Sequence, residues 1–244
     1  MKTTKILTSA IVLSTLGLAA APAVHAADHT ETYDSHGKIG FTENTDPTKP
    51  VDPTDPTKPI DPTDPGTPTA GPLSIDYVSS FDFGSNKISG DDATYYAAPL
   101  TDKNGVKTAN YLQVTDKRGS NIGWKLSVKQ GAQFNDKTAD LKGAQLQMAT
   151  QALNSKNIMS DGSTTPGIVS GTLVMTPGSD VQVLDATAGQ GMGTWTDAFG
   201  VYDADTNKDT ASKAVSLQVP GNSAKNVGST YTTDLTWTLT DVGL

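Results

Sequence analysis

From Leu73 onward, apolar side chains recur at every second position in short runs, separated by clusters of Gly, Asn, Asp and Ser. Ile75, Tyr77, Phe81 and Phe83 share one face of the first run, Tyr111 to Thr115 forms a second, and Trp124, Leu126 and Val128 share a face of a third. The same alternation joins Val169, Gly171, Leu173 and Met175, then Val181 with Val183, then Val215, Leu217 and Val219, and last Tyr231, Leu235, Trp237 and Leu239. Successive side chains of a strand point to opposite sides, so a period of two with one wet face predicts antiparallel strands. Many such runs predict an all-β fold, an antiparallel β-sandwich or partly closed barrel. The stretch 139–155 reads both ways: Leu141, Ala144, Met148 and Ala152 sit at helical spacing among good helix formers, whereas Ala144, Leu146 and Met148 alternate. The alternation predicts a strand over 141–150.

Upstream of residue 73 the pattern disappears. Thr-Asp-Pro-Thr-Lys-Pro-Val-Asp-Pro at 45–53 is repeated as Thr-Asp-Pro-Thr-Lys-Pro-Ile-Asp-Pro at 54–62, and a truncated Thr-Asp-Pro follows at 63–65. Proline occupies every third position from Pro47 to Pro68, which matches the three residues per turn of a polyproline II helix. Residues 45–72 therefore read as a Pro-rich, polyproline II-like spacer, whose 22-residue proline run would reach roughly 70 Å if fully extended. The alternative, a ligand for a proline-reading domain, fits an exported chain poorly because such modules belong mostly to intracellular signalling. Residues 27–44 are polar and patternless apart from Ile39 and Phe41, and read as a disordered arm.

Residues 1–26 read as a cleavable signal peptide. Lys2 and Lys5 form a basic start, Ala10 to Ala21 an apolar run too short to span a bilayer comfortably, and Val24-His25-Ala26 a cleavage site. An uncleaved anchor is the alternative, but the run is followed by small residues rather than a basic stop-transfer cluster. Without a second apolar run, a lipid-accepting cysteine or a Leu-Pro-x-Thr-Gly signal, the chain is expected to be secreted, not membrane-inserted, and held at a surface by non-covalent contacts.

Composition narrows this further. There is no cysteine, so the exported domain must rely on its core alone, and 73–244 is long enough to do so. Loss of the two signal-peptide lysines leaves 16 basic residues against 26 acidic ones, a formal charge of −10. Such a surface disfavours nucleic acid and anionic lipid.

Catalytic chemistry is mostly missing. His29 and His36 precede the β domain, no thiol is present, and neither a metal-binding helix motif nor a phosphate loop occurs. A pair of carboxylates acting as a hydrolase is the remaining enzymatic alternative, and no spacing singles one out. The expectation is a protein without enzymatic activity or cofactor. Asp203, Asp205, Asn207 and Asp209 place oxygen ligands at alternate positions, as a calcium loop begins. Lys208 stands where an EF-hand needs glycine and Ala214 where it needs the bidentate glutamate, which favours a solvated turn.

Two tripeptides form a pair, Trp124-Lys125-Leu126 and Trp237-Thr238-Leu239, each within a strand-like run. Together with Leu112-Gln-Val-Thr-Asp-Lys-Arg-Gly119, the Ser79-Ser-Phe-Asp-Phe-Gly84 segment and the position of the second tripeptide near the end, the region 73–244 closely resembles the WxL domain of Gram-positive bacterial surface proteins. It is similar to the small type, made of little beyond signal, spacer and one WxL domain. The resemblance implies non-covalent attachment to the cell wall surface with peptidoglycan as ligand. It also implies an alternative, a subunit of a surface complex that docks to a membrane-anchored protein partner, with wall association indirect.

The residues leave the role of the tryptophans open. Trp124 with Leu126, and Trp237 with Leu239, each point to one side of a strand and Lys125 and Thr238 to the other. The rings are either buried anchors of the sandwich or an exposed pair along a ligand groove. In the groove reading Asp116, Lys117, Arg118 and Lys125 supply polar contacts, Arg118 being suited to a carboxylate through its bidentate fork, and Trp195 is a third candidate ring.

Overall fold

The computed structural model describes residues 30–242 apart from residues 65, 150, 160, 161, 170 and 205. The signal-peptide reading lies outside the described residues. The chain up to Gly40 separates from the remainder as its own unit, and residues 30–40 carry no strand or helix.

Beyond Gly40 the fold is all-β and antiparallel, with one short 3-10 turn at Ala211–Lys213. In chain order the strands are β1 (Leu73–Val78), β2 (Ala93–Tyr96), β3 (Leu100–Thr101), β4 (Lys107–Thr108), β5 (Tyr111–Asp116), β6 (Trp124–Gln130), β7 (Gln145–Ala149) and β8 (Gln151–Asn154). They continue as β9 (Gly167–Ile168), β10 (Thr172–Val174), β11 (Asp180–Ala186), β12 (Gly193–Phe199), β13 (Tyr202–Asp203), β14 (Lys208–Asp209), β15 (Val215–Val219) and β16 (Leu235–Asp241). Three four-stranded sheets result, in the orders β1-β5-β12-β8, β10-β7-β15-β2 and β16-β6-β11-β9, with β3-β4 and β13-β14 as small hairpins. Of the two architectures that the alternation predicts, the sheets form the sandwich-like one and do not close into a barrel.

One core holds the three sheets together. Leu112, Val114, Trp195 and Phe199 reach it from the first sheet, Leu146, Met148, Leu173 and Leu217 from the second, and Trp124, Leu126, Val128 and Val183 from the third. Each large side chain buried this completely contributes roughly 1.5–3 kcal/mol, so the domain is stable without a disulfide. The ambiguous segment contains strand rather than helix, but the strand starts at Gln145 after a turn over Leu141–Ala144; β7 belongs to the second sheet and β8 to the first, so the chain changes sheet after Ala149. Alanine and glutamine are tolerated there because tertiary pairing on both flanks outweighs their helix propensity. The first run is shorter than predicted. Its strand stops at Val78, and Phe81 and Phe83 lie in the irregular segment after it.

The proline repeat does not stand off as an extended spacer. It doubles back: Asp52 N–H donates to the Lys58 carbonyl at 2.8 Å, Ile60 N–H to the Pro50 carbonyl at 3.1 Å, and Val51 bridges Pro59 in antiparallel sense. The cause lies in the Asp-Pro-Thr triplets. The Asp52 carboxylate accepts from the N–H and hydroxyl of Thr54 at 2.8 and 2.7 Å, and the Asp55 carboxylate accepts from the same groups of Thr57 at 3.3 and 2.6 Å. Two such Asx turns in succession reverse the chain, which an argument from proline period alone overlooks. The resulting strap lies on the outer face of the first sheet, where Pro53 and Pro62 are buried and Ile60 packs beside Tyr77 and Tyr111.

Candidate functional site

The two Trp-x-Leu motifs, 110 residues apart in the chain, are neighbours in the third sheet. In the β6–β16 ladder Leu126 is opposite Leu239, Val128 opposite Trp237, and Trp124 opposite Asp241. Cross-strand partners share a face, so both Trp-Leu pairs turn toward the core, while Lys125 and Thr238 turn outward. Burial then separates the pair. Trp124 and Leu126 are fully buried, whereas Trp237 and Leu239 lie on the edge strand and are only half-buried. The Trp124 indole N–H donates to the Gly191 carbonyl at 3.1 Å. Gly191 has φ +76°, and a Cβ there would fall on the indole nitrogen, so the ring's slot requires glycine. Trp195 is also fully buried, its N–H donating to the Met192 carbonyl at 3.0 Å. Trp124 and Trp195 are therefore core anchors, and the groove reading does not hold for them.

The charged candidates are occupied within the molecule. Arg118 uses its fork on Asp116, at 3.0 and 2.7 Å, donates to the Gly123 carbonyl at 2.8 Å, and reaches Asp241 at 2.7 Å. It thereby clamps the end of β5 to the start of β6 and the end of β16. The groove reading expects Arg118 to meet a ligand carboxylate and Asp116 to offer a polar contact; in the structure the two engage each other, and the carboxylates on the Arg118 fork are the protein's own. Lys117 Nζ donates to the Asp46 carbonyl at 2.6 Å, and Lys125 lies 3.9 Å from Asp185 on the outer face. Arg118→Met leaves Asp116 buried without its cation, and a loss of about 2 kcal/mol is expected, below the range for fully buried pairs because Asp241 is partly solvated. Urea melts of Arg118→Met, Asp241→Asn and the double variant give the coupling between the two ends of the clamp.

Open surface is found instead beside Trp237. A groove of about 1210 Å³ runs between the segment Phe81–Ile88 and the segment Lys225–Thr233, with Tyr95, Phe134 and Leu217 beneath. A smaller pocket of about 390 Å³ shares Phe81, Phe83 and Phe134 with it and extends to Leu235 and Trp237. Phe83 meets Phe134 edge-on at 6.3 Å, and Tyr231 is pinned by the Asn226 N–H donating to its hydroxyl at 3.0 Å. Half-buried aromatic rings thus face solvent, rimmed by Asn86, Asn226, Ser229, Thr230 and Thr232 and by Ile88 and Val227. The wall of this groove is the Ser79–Gly84 segment singled out in the sequence, but Phe134 and Tyr95 carry no sequence signal of a site.

β16 is the outermost strand of its sheet. Gly131 N–H donates to the Asp234 carbonyl, and bonded and non-bonded pairs alternate along an antiparallel ladder. The backbone of Leu235, Trp237 and Leu239 therefore faces the open edge.

Asp203 and Asp209 belong to the β13–β14 hairpin, where each carboxylate accepts from its own turn, Asp203 from Thr206 and Asp209 from Ser212. Asn207 takes the positive φ of that turn at 53°, and Asp205 is outside the described residues. Among the described residues no three His, Asp or Glu side chains are grouped to hold a metal ion, and no helix is long and apolar enough to cross a membrane.

A family model described as WxL domain, surface cell wall-binding, matches residues 28–242, strap and β domain together. No curated protein and no solved structure matches the chain.

Proposed function

The chain belongs to the WxL family of surface cell wall-binding domains, and from that membership we propose that it attaches non-covalently to peptidoglycan through the aromatic groove beside Trp237. The observation that carries the choice of site is the groove itself. Rings of Phe83, Tyr95, Tyr231 and Trp237 offer flat apolar surface of the kind on which the C–H face of a sugar rests. The rim of Asn, Ser and Thr offers neutral hydrogen bonds suited to hydroxyl and acetamido groups. In this reading binding proceeds without turnover. Export depends on residues 1–26.

A second reading is favoured by the open edge of β16. An extended segment of another surface protein could add to that edge as a further strand, with wall association then indirect.

The mature chain is expected to sediment with purified sacculi and to be released by chaotropic salt. Replacing Phe83 and Tyr231 by alanine, singly, is expected to weaken retention about tenfold each while urea melts remain cooperative. Failure of the wild-type chain to bind bare sacculi overturns the wall reading, and binding only to walls that still carry their proteins selects the second.

A further inference from the structure

The first sheet holds the strap as a receptor holds a peptide, and what it grips is largely main chain. Gln113, fully buried in the middle of β5, uses both ends of its carboxamide: Oε1 accepts the Val51 N–H at 2.8 Å and Nε2 donates to the Lys49 carbonyl at 3.1 Å. Asp76 fixes which end donates, since its Oδ2 accepts from the same Nε2 at 2.9 Å. Burial raises the Asp76 pKa, against the lowering effect of hydrogen bonds from Ser74, Thr115 and Gln113. Asn154, ending β8, donates to the Pro53 and Thr54 carbonyls at 3.0 and 3.1 Å.

Proline leaves few N–H groups to offer. Between Pro50 and Pro53 only Val51 and Asp52 carry one; that of Asp52 closes the hairpin on Lys58, and that of Val51 goes to Gln113. The sheet thus reads a spacing of prolines through the one amide they spare. The hairpin also pairs the first repeat with the second, Val51 beside Pro59, so the sequence is complementary to itself as well as to the sheet.

We propose that this face of the first sheet is a receptor for the Thr-Asp-Pro-Thr-Lys-Pro repeat, and that the repeat of a second copy of the chain occupies it by exchange, linking copies strap to sheet. A second copy reproduces every contact named above, so closed and exchanged forms differ only in the entropy of association and in the hinge. The strap is rooted in the sheet by Thr69 N–H donating to the Ile75 carbonyl and Lys117 N–H to the Pro72 carbonyl, so exchange turns on the chain before Thr69 and releases the Thr63 hydroxyl from the Thr101 carbonyl. Exchange is favoured wherever copies are crowded, as on a surface that holds many of them. It does not depend on which ligand fills the aromatic groove.

The test uses Val51→Pro, which removes the N–H that Gln113 accepts and leaves the sheet unaltered. A fluorescent peptide of residues 45–62 is titrated into full mature chain and followed by anisotropy. The Val51→Pro chain is expected to bind it at least tenfold more tightly than wild type, whose own strap competes, and to bind a peptide carrying the same Val51→Pro change at least tenfold more weakly. No saturable binding, or equal binding of the two peptides, overturns the receptor. A second measurement needs no variant: two differently tagged wild-type chains, mixed at high concentration, should co-purify and be separated by excess unlabelled peptide. Absence of co-purification overturns the exchange.

Discussion

Trp124→Ala is expected to cost about 3 to 5 kcal/mol, a large share of the stability of a domain this size. The ring is fully buried among residues of the third sheet, and its replacement leaves both a cavity and an orphaned Gly191 carbonyl. Because Gly191 is shaped around the indole, the cavity closes poorly. Trp237→Ala, in the motif that looks the same on paper, removes a half-buried ring from an edge strand and should cost roughly 1 kcal/mol, while weakening retention on sacculi. Urea denaturation and sacculus binding of both variants separate the two motifs into an anchor and a contact. Equal stability losses would mean that Trp237 is as deep in the core as Trp124 and that the groove does not reach it.

Why the motifs were legible and their difference was not follows from where each strand lies. β6 and β15 have one wet face, so their sequences alternate and the strands can be read directly. β16 alternates as well, but nothing in Trp-Thr-Leu says that its neighbour on one side is absent. β5 and most of β12 are buried on both faces; in β5 Leu112 and Val114 alternate with Gln113 and Thr115, so the strand can be read, but nothing in the sequence says that its polar side is buried too, with the strap against Gln113. In β12 only Trp195 attracted notice, and for its ring rather than its strand. The groove is not legible from alternation, which predicts strand at Phe81, Phe83 and Tyr231 where the chain is irregular, and its floor comes from distant residues. The fork of Arg118 suits carboxylates, but sequence cannot say that the carboxylates it holds belong to the same chain. The strap carries a practical consequence. A fragment beginning at Leu73 would lack the strap and leave the carboxamide of the buried Gln113 without its partners Val51 and Lys49.

Raising the pH from about 4 to 7 is expected to destabilise the domain, through Asp197. This residue is opposite Leu112 on one side and Leu153 on the other, and its carboxyl points into the core with the Gln151 side chain for company at 2.5 Å. Burial, opposed by hydrogen bonds from Gln151 and the Ala152 N–H, pushes its pKa up to about 7 from an ordinary 3.8. The folded state therefore binds the proton more tightly than the unfolded chain does. Stability is highest below the unfolded pKa, falls as pH rises between the two values, and levels off above about 7. A gap of about three pH units corresponds to about 4 kcal/mol, an upper figure because water entry would relieve part of the strain. Asp197→Asn keeps the shape and removes the charge. The variant should match wild type near pH 4 and exceed it by about 2 to 4 kcal/mol at pH 8, measured as urea midpoints across that range. A wild-type profile that stays flat, or a variant no more stable at pH 8, would show that the carboxylate is solvated in the folded protein. Gln151 begins β8, which follows β7 of the second sheet closely in sequence, so ionisation loads a strand next to a crossing between the two sheets. Loosening at high pH should therefore begin there, as faster amide exchange in β8 than in β5 or β6.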